Sequence, residues 1–232
     1  MKIVLATGNA DKVREIKDIL NDCAAELVSL DDFPPIEVEE DCDTFFANAR
    51  KKAYEISVHT GLPALADDSG LVVEALGGAP GIYSSRYAGE KVTYEDNVRK
   101  LLFKMKGVRA RKAEFVCVSV LYFPDGRIFT ARGRLQGVIS KETFGSGGFG
   151  YDPVFYITKK RKTLAEMDDD EKNKISHRGE AFRKMAKIIS KLTEAEKPEA
   201  SRRGAPAASS ADSGAELHAA ACVTKSAVSE KN

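Results

Sequence analysis

The sequence lacks the features that mark several large classes of protein. No apolar run approaches the roughly 20 residues that a bilayer-spanning helix needs, and the first residues enter a predicted strand without the basic segment of a secretory signal. Net charge is nearly absent too, because 36 Lys and Arg oppose 35 Asp and Glu and leave only +1. A membrane span and a long nucleic acid partner are therefore disfavoured, and we expect a cytoplasmic protein.

Cysteine pairs and the common nucleotide-binding loops are also missing. The four cysteines are far apart and form no Cys-x-x-Cys pair, so neither a zinc site nor a disulfide framework is indicated. No Gly-x-x-x-x-Gly-Lys loop is present. Residues 145–150 do spell Gly-x-Gly-x-x-Gly, but Asp152-Pro153 and a predicted strand follow where a dinucleotide site needs a helix. We interpret this segment either as a plain glycine loop or as one whose aromatic residues, Phe149 and Tyr151, sandwich a flat base.

The chain has 232 residues, 43% of them hydrophobic, which is enough for one sizeable core and for two lobes that share a sheet. Apolar periodicity and turn residues predict an α/β fold with a mixed central β-sheet and flanking helices. Strands are predicted at 2–6, 62–66, 115–123, 128–135 and 151–157, and helices after residue 9 and at 44–59, 94–105 and 175–192. From residue 195 to 232 large apolar residues almost disappear, which predicts a disordered tail.

The adjacent carboxylates Asp67 and Asp68 follow the predicted strand at 62–66 and precede Ser69-Gly70. A carboxylate at the end of a buried strand needs a partner, and it can ligate Mg²⁺ or accept a proton from water. Asp, Ser and Gly are equally typical of an ordinary turn. Both a catalytic site and a simple turn therefore remain open for this pair.

Two further segments combine polar donors with a helix start. Residues 7–12 place Thr7-Gly8-Asn9 and Lys12 between a strand and a helix N-terminus, a setting that favours phosphate oxygens but also describes a capped helix with an exposed lysine. Lys172, His177 and Arg178 begin the last predicted helix and suit an anion or a purine oxygen, or else a surface helix cap.

An acidic run precedes the helix predicted at 44–59. It consists of Glu37, Glu39, Glu40 and Asp41. One of these carboxylates could complete a Mg²⁺ site with Asp68, whereas the simpler interpretation is that the run complements a helix dipole.

Taken in order, these segments closely resemble the inosine triphosphate pyrophosphatase family over residues 1 to about 192. The motifs are Thr7-Gly8-Asn9-x-x-Lys12, Glu39-Glu40, residues 66–70, residues 76–84, residues 147–153 and residues 175–179. The resemblance implies a mixed α/β fold, two lobes around a substrate cleft, and a homodimer. The low-complexity tail departs from the family pattern.

The resemblance also implies an activity, which is the Mg²⁺-dependent hydrolysis of deaminated purine nucleotides (ITP, dITP and XTP) to the monophosphate and pyrophosphate. It implies Asp68 as proton acceptor and metal ligand, and Glu40 as the second ligand with Glu39 as the alternative. It implies that the triphosphate is bound by Thr7, Gly8, Asn9 and Lys12, and that Ser69 contacts the substrate. The base pocket that it implies is lined by Phe149, Gly150, Tyr151 and Asp152 and completed by Lys172, His177 and Arg178. A purine nucleotide sensor without hydrolysis is the alternative.

Overall fold

Seven strands form one mixed sheet in the computed structural model, which describes residues 1–196. The strands are β1 (Lys2–Leu5), β2 (Glu26–Ser29), β3 (Ala64–Val73), β4 (Lys112–Tyr122), β5 (Ile128–Ile139), β6 (Phe155–Ile157) and β7 (Lys162–Thr163). Their order is β2-β1-β3-β4-β5-β6-β7, with β1 parallel to β2 and β3 and the remaining pairs antiparallel. The predicted mixed sheet is confirmed.

Five helices surround the sheet within the same residues. They are α1 (Ala10–Ile19), α2 (Phe45–Thr60), α3 (Tyr94–Lys104), α4 (Asp169–Ile175) and α5 (His177–Ala195). The single helix predicted over 175–192 is wrong at its start. Ser176 has extended backbone angles and its side chain accepts a hydrogen bond from the Gly179 amide, so it caps α5 and separates it from α4.

The helices divide between the two faces of the sheet. Helices α1 and α5 share one apolar cluster with β1, β3 and β4, in which Phe182 and Ile16 are fully buried. Helix α2 packs on the opposite face through Ala49, Ala53 and Ile56. Helix α3 packs against the far ends of β3 and β4 in a third cluster. These four helices thus pack in three clusters around one continuous sheet.

Strand β3 is longer than its sequence predicts. We expected it to end at residue 66, but all ten of its residues pair with β4, including Asp67 with Ser119 and Asp68 with Val118. The turn-forming residues that follow are held in the strand by this pairing. Gly70 permits a close approach rather than a turn, because a Cβ there would lie 2.3 Å from the Gly81 carbonyl oxygen. Both carboxylates therefore lie mid-strand.

Smaller differences lie near the C-terminal part. The strand predicted over 151–157 is confined to β6, since a short 3₁₀ turn occupies Asp152–Val154. The short strands β2 and β7 were not predicted from the sequence. No helix among residues 1–196 is long and apolar enough to cross a membrane. The tail predicted to be disordered begins where α5 ends, and residues 197–232 lie outside the described residues.

Candidate active site

A cleft of about 370 Å³ opens where β1 ends beside the middle of β3. Residues from all five helices and from the segments 30–40, 82–85 and 149–152 supply most of the rest of its walls. Every site residue predicted from the sequence lines it: Thr7, Gly8, Asn9, Lys12, Glu40, Asp68, Ser69, Phe149, Gly150, Tyr151, Asp152, Lys172, His177 and Arg178. The fold thus brings together residues that are far apart in the chain.

The segment between β1 and α1 forms a capped helix N-terminus that faces the cleft. The Asn9 side chain caps α1 by accepting from the Lys12 amide at 3.0 Å, and the Thr7 hydroxyl accepts from the Asn9 amide at 3.2 Å. A side chain at Gly8 would project into open space. The N-terminal end of the helix dipole and the Lys12 ammonium therefore face a space that suits an anion.

The two neighbouring aspartates point to opposite faces of β3, as the alternation of a strand requires. Asp67 faces α1 and α5, where its Oδ2 lies 3.3 Å from the Lys12 ammonium and 3.7 Å from the Arg178 guanidinium. Burial alone would raise the pKa of Asp67, but these two positive charges outweigh it and hold that pKa well below its usual range. Asp67 is therefore a fixed negative charge behind the cleft.

Asp68 faces α2 and lines the cleft itself. Its Oδ2 accepts from the Asn48 amide at 3.1 Å and its Oδ1 from the Ser69 backbone amide at 2.8 Å. Burial raises the pKa of Asp68 to about 6, with the negative charge of Glu40 adding to the effect and the Lys52 ammonium opposing it. Such a carboxyl is poised to accept a proton near neutral pH.

Glu40 is the acidic residue that the fold brings toward Asp68. Its carboxylate lies 2.6 Å from the Lys52 ammonium, which also donates to the Asp67 carbonyl oxygen at 2.7 Å. The backbone carbonyl of Glu40 accepts a hydrogen bond from the Arg86 guanidinium at 2.9 Å. Glu39, the alternative considered from the sequence, is exposed and does not line the cleft.

A chain of buried ion pairs forms the other end of the cleft. Lys172 lies 2.5 Å from Asp152 and 2.7 Å from Glu15, and the second oxygen of Glu15 pairs with Arg178 at 2.5 Å. Burial favours the neutral forms of these groups, yet their mutual attraction lowers the pKa of Glu15 and raises that of Lys172. Burial dominates for Asp152 and raises its pKa despite Lys172. The cations at this end are held in fixed positions.

The rings of Phe149, Tyr151 and His177 line this end of the cleft. The Phe149 ring lies 4.7 Å from the Lys172 ammonium and 5.9 Å from the Tyr94 ring. Tyr151 is almost fully buried, and its hydroxyl donates to the Ser84 carbonyl at 2.9 Å, so its ring is fixed. His177 stacks on Phe115 with the ring centroids 4.6 Å apart.

His177 is a neutral group in this setting. Burial lowers its pKa well below the usual value, and the nearby charges of Arg178 and Lys172 lower it further. The compact cluster of donors expected from the sequence therefore contains two cations and one uncharged imidazole.

Sequence reasoning missed two charged side chains of this site, Glu15 and Lys52. Glu15 is 3% exposed and holds both Lys172 and Arg178. Lys52 is 7% exposed and bridges Glu40 to β3. A signal was present for both, because each lies on the apolar face of an amphipathic helix, where an ionised group needs a partner.

The carboxylates of the cleft fit a divalent cation that also binds substrate oxygens. Among residues 1–196 no three His, Cys, Asp or Glu side chains come together as a metal cage. The cleft instead offers two carboxylates, Glu40 and Asp68, whose negative charges are close enough for one to raise the pKa of the other. Mg²⁺ commonly binds through one or two carboxylates with water and substrate phosphates, and this set fits that pattern.

Comparisons with known proteins identify the family of this chain. Residues 3–188 match the sequence model of the Ham1 family. A dITP/XTP pyrophosphatase of Desulforamulus reducens is 50% identical over 195 residues, which cover 83% of this chain and 97% of that protein. One of Shigella flexneri is 48% identical over 186 residues, covering 78% and 94%.

Solved structures of similar sequence share the fold of this chain. The HAM1 protein from Coxiella burnetii superposes with a TM-score of 0.77 at 39% identity, covering 82% of this chain and 99% of that one. A nucleoside-triphosphatase / dITP/XTP pyrophosphatase from Mycobacterium abscessus gives 0.66 at 38% identity, covering 83% and 100%.

Proposed function

Because the chain belongs to the Ham1 family, we propose that it is a nucleoside triphosphate pyrophosphatase that hydrolyses deaminated purine nucleotides, namely ITP, dITP and XTP, to the monophosphate and pyrophosphate. Relatives about half identical to it carry the name dITP/XTP pyrophosphatase. The observation that carries the proposal is one cleft that combines an anion-binding helix start, a carboxyl pair and a cationic pocket with an aromatic ring.

The triphosphate lies against the start of α1 in this proposal. The free amides of the helix N-terminus and the Lys12 ammonium bind its oxygens, and the Ser69 hydroxyl contacts the substrate. Lys12 is suited to this role because its ammonium is held by Asp67 and stays charged in a buried position. Its charge stabilises the negative charge that develops on the pyrophosphate leaving group.

Glu40 and Asp68 would hold Mg²⁺ together with oxygens of the substrate. When bound, this ion supplies Lewis-acid stabilisation of charge on the phosphate oxygens. Asp68 accepts the proton of the water that attacks the α-phosphorus, and Asn48 and the Ser69 amide orient its carboxyl group. Lys52 holds Glu40 in place from the opposite side.

The base lies beside the Phe149 ring at the cationic end of the cleft. Lys172 and Arg178 are donors fixed by Glu15, and donors satisfy the O6 atom of a 6-oxopurine. Adenine presents an amino group at the same place, and an amino group cannot accept a hydrogen bond from these donors. The fixed cations therefore favour inosine and xanthosine nucleotides over ATP.

The direct test is a substrate panel of ITP, dITP, XTP, GTP and ATP with Mg²⁺, with the products separated by chromatography. We expect the monophosphate and pyrophosphate from the first three, and little product from ATP. Release of single orthophosphate, or nucleotide binding without any product over hours, would contradict the proposal. The second outcome would instead support the nucleotide sensor.

Asp68→Asn tests the proposed base. The amide retains the hydrogen bond to the Ser69 backbone but cannot accept the proton, so kcat should fall about 10²–10⁴-fold. Asp41→Asn is the matched control, because Asp41 is an exposed carboxylate near the site that does not line the cleft. Equal kcat for Asp68→Asn and the unaltered protein would remove Asp68 from the mechanism.

A homodimer and a cytoplasmic location stay predictions.

A further inference from the structure

Asp67 does not line the cleft, yet three side chains that do line it converge on one of its oxygens. The Ser69 hydroxyl donates to Asp67 Oδ2 at 2.5 Å, the Lys12 ammonium lies at 3.3 Å and the Arg178 guanidinium at 3.7 Å. The Cys117 thiol completes the set at 3.8 Å. Since these groups come from different elements, one buried oxygen fixes their positions relative to one another.

The backbone of the same residue reaches the opposite face of the sheet. The Asp67 carbonyl oxygen accepts from the Lys52 ammonium at 2.7 Å, and Lys52 in turn holds Glu40 at 2.6 Å. Asp67 therefore contacts both the proposed phosphate-binding lysine and the lysine that orients the second proposed metal ligand.

Arg178 is shared between two carboxylates. Its Nη1 lies 2.5 Å from Glu15, whereas its Nη2 lies 3.7 Å from Asp67, so the second contact is the looser one. Within the described residues the Arg178 Nε and the Asp67 Oδ1 have no hydrogen-bond partner. The charge of Asp67 thus attracts the Arg178 guanidinium, while one N–H group of that guanidinium keeps no hydrogen-bond partner among the described residues.

We propose that Asp67 is a positioning residue that couples the base end of the cleft, through Arg178, to its phosphate end, through Lys12 and Ser69. This role rests on the proposed function. No ion pair or hydrogen bond among residues 1–196 joins Arg178 to Lys12, whereas Asp67 contacts both. Ser69 is reached in two ways, because its hydroxyl donates to Asp67 and also accepts from the Arg178 guanidinium at 3.4 Å. When the base of a nucleotide binds at Arg178, its phosphates therefore lie next to Lys12 and Ser69.

The competing explanation is that Asp67 only neutralises buried cations and stabilises the fold. Asp67→Asn separates the two, because the amide retains the shape and an acceptor for Ser69 but removes the charge. Ser57→Ala is the matched control for stability, since Ser57 is fully buried, donates to the Leu62 carbonyl at 2.8 Å and does not line the cleft.

The kinetic constants for ITP and ATP and the thermal midpoint are measured for all three proteins. We expect Asp67→Asn to raise KM for ITP at least tenfold and to reduce the ratio of kcat/KM for ITP over ATP at least tenfold. Ser57→Ala should lower the thermal midpoint alone. A change of midpoint in Asp67→Asn with KM and discrimination unchanged would overturn the coupling role.

A double-mutant cycle gives a second readout if Asp67→Asn does not fold. Lys12→Gln, Arg178→Gln and the double variant are compared by kcat/KM for ITP. If the two residues are coupled through Asp67, the loss of kcat/KM in the double variant should differ at least fivefold from the product of the two single losses. For independent residues the two values should agree within twofold. Independence would overturn the coupling role. Absence of ITP hydrolysis in the unaltered protein would overturn the proposed function, and this role with it.

Discussion

Gly133 is outside the cleft, yet we expect its replacement by alanine to damage the cleft. Gly133 lies on β5 beneath the start of α5, and a Cβ there would lie 2.0 Å from the His177 carbonyl oxygen and 2.6 Å from the Ala181 amide nitrogen. Both are backbone atoms, so no side chain can rotate to relieve the contact. The start of α5, which carries His177 and Arg178, must therefore move by about 1 Å to restore ordinary contact.

The magnitude follows from that displacement. Overpacking of this kind costs about 2 kcal/mol of unfolding free energy, which corresponds to a thermal midpoint about 4–8 °C lower for a fold of this size. A misplacement of about 1 Å in a positioning group can reduce a rate about 100-fold, so kcat/KM for ITP should fall by about that factor. Thermal denaturation and steady-state hydrolysis of ITP measure the two effects.

Gly137→Ala provides the comparison within the same strand. A Cβ at Gly137 would lie 2.7 Å from the Phe155 ring and 2.8 Å from the Tyr156 carbonyl, so it also overpacks β5, but its nearest contacts are with β6. It should lower the midpoint by a similar amount and change kcat/KM for ITP much less. If both variants lose stability while Gly133→Ala keeps its kcat/KM, the inference that β5 positions Arg178 through α5 is refuted.

Three other perturbations test the buried charges and the rim of the cleft. Glu15→Gln leaves Lys172 and Arg178 short of a buried counter-charge, so unfolding free energy should fall by about 3 kcal/mol in urea denaturation and discrimination against ATP should weaken. The pKa of His177 is depressed in the fold relative to about 6.5 in the unfolded chain, so its contribution is present above that pH and lost below it. Between pH 7.5 and 5.5 the unaltered protein should therefore lose more unfolding free energy than His177→Gln, as urea denaturation at the two pH values would measure. Tyr94→Phe removes the hydroxyl that contacts Asn9 at 3.3 Å, so KM for ITP should rise about threefold with kcat unchanged.

Local pattern predicted most of the elements around the site. The strand that precedes Thr7, the helix after Asn9 and helix α2 agree with the sequence to within one or two residues. The strand is a short apolar run, and each of the two helices combines apolar periodicity with a capping side chain. The hairpin between β4 and β5 was equally clear from Pro124–Arg127. These features depend on neighbours in the chain.

The predicted and the observed elements differ where contacts with distant segments of the chain determine the local structure. Asp67 to Gly70 has the local signature of a turn, but pairing with β4 extends the strand through it. Ser176 lies inside an apolar periodicity that suggests one helix, yet it caps α5. The charges of Glu15 and Lys52 mark both residues as candidates for partners, but Arg178 is 163 positions from Glu15, and only the fold identifies such a contact.

The extension of β3 changes what the adjacent aspartates can do. In a turn both carboxylates could face the same solvent and would behave alike. In a strand Asp67 faces the cations of α1 and α5, which hold its pKa low, whereas Asp68 faces Glu40 and the buried side of α2, where burial raises its pKa to about 6. Two acids with opposite tendencies suit opposite tasks, a permanent charge that holds cations and a carboxyl that exchanges a proton. The pairing with β4 that keeps both aspartates in a strand, and not in the turn that the sequence left open, therefore supplies the physical basis for dividing their roles.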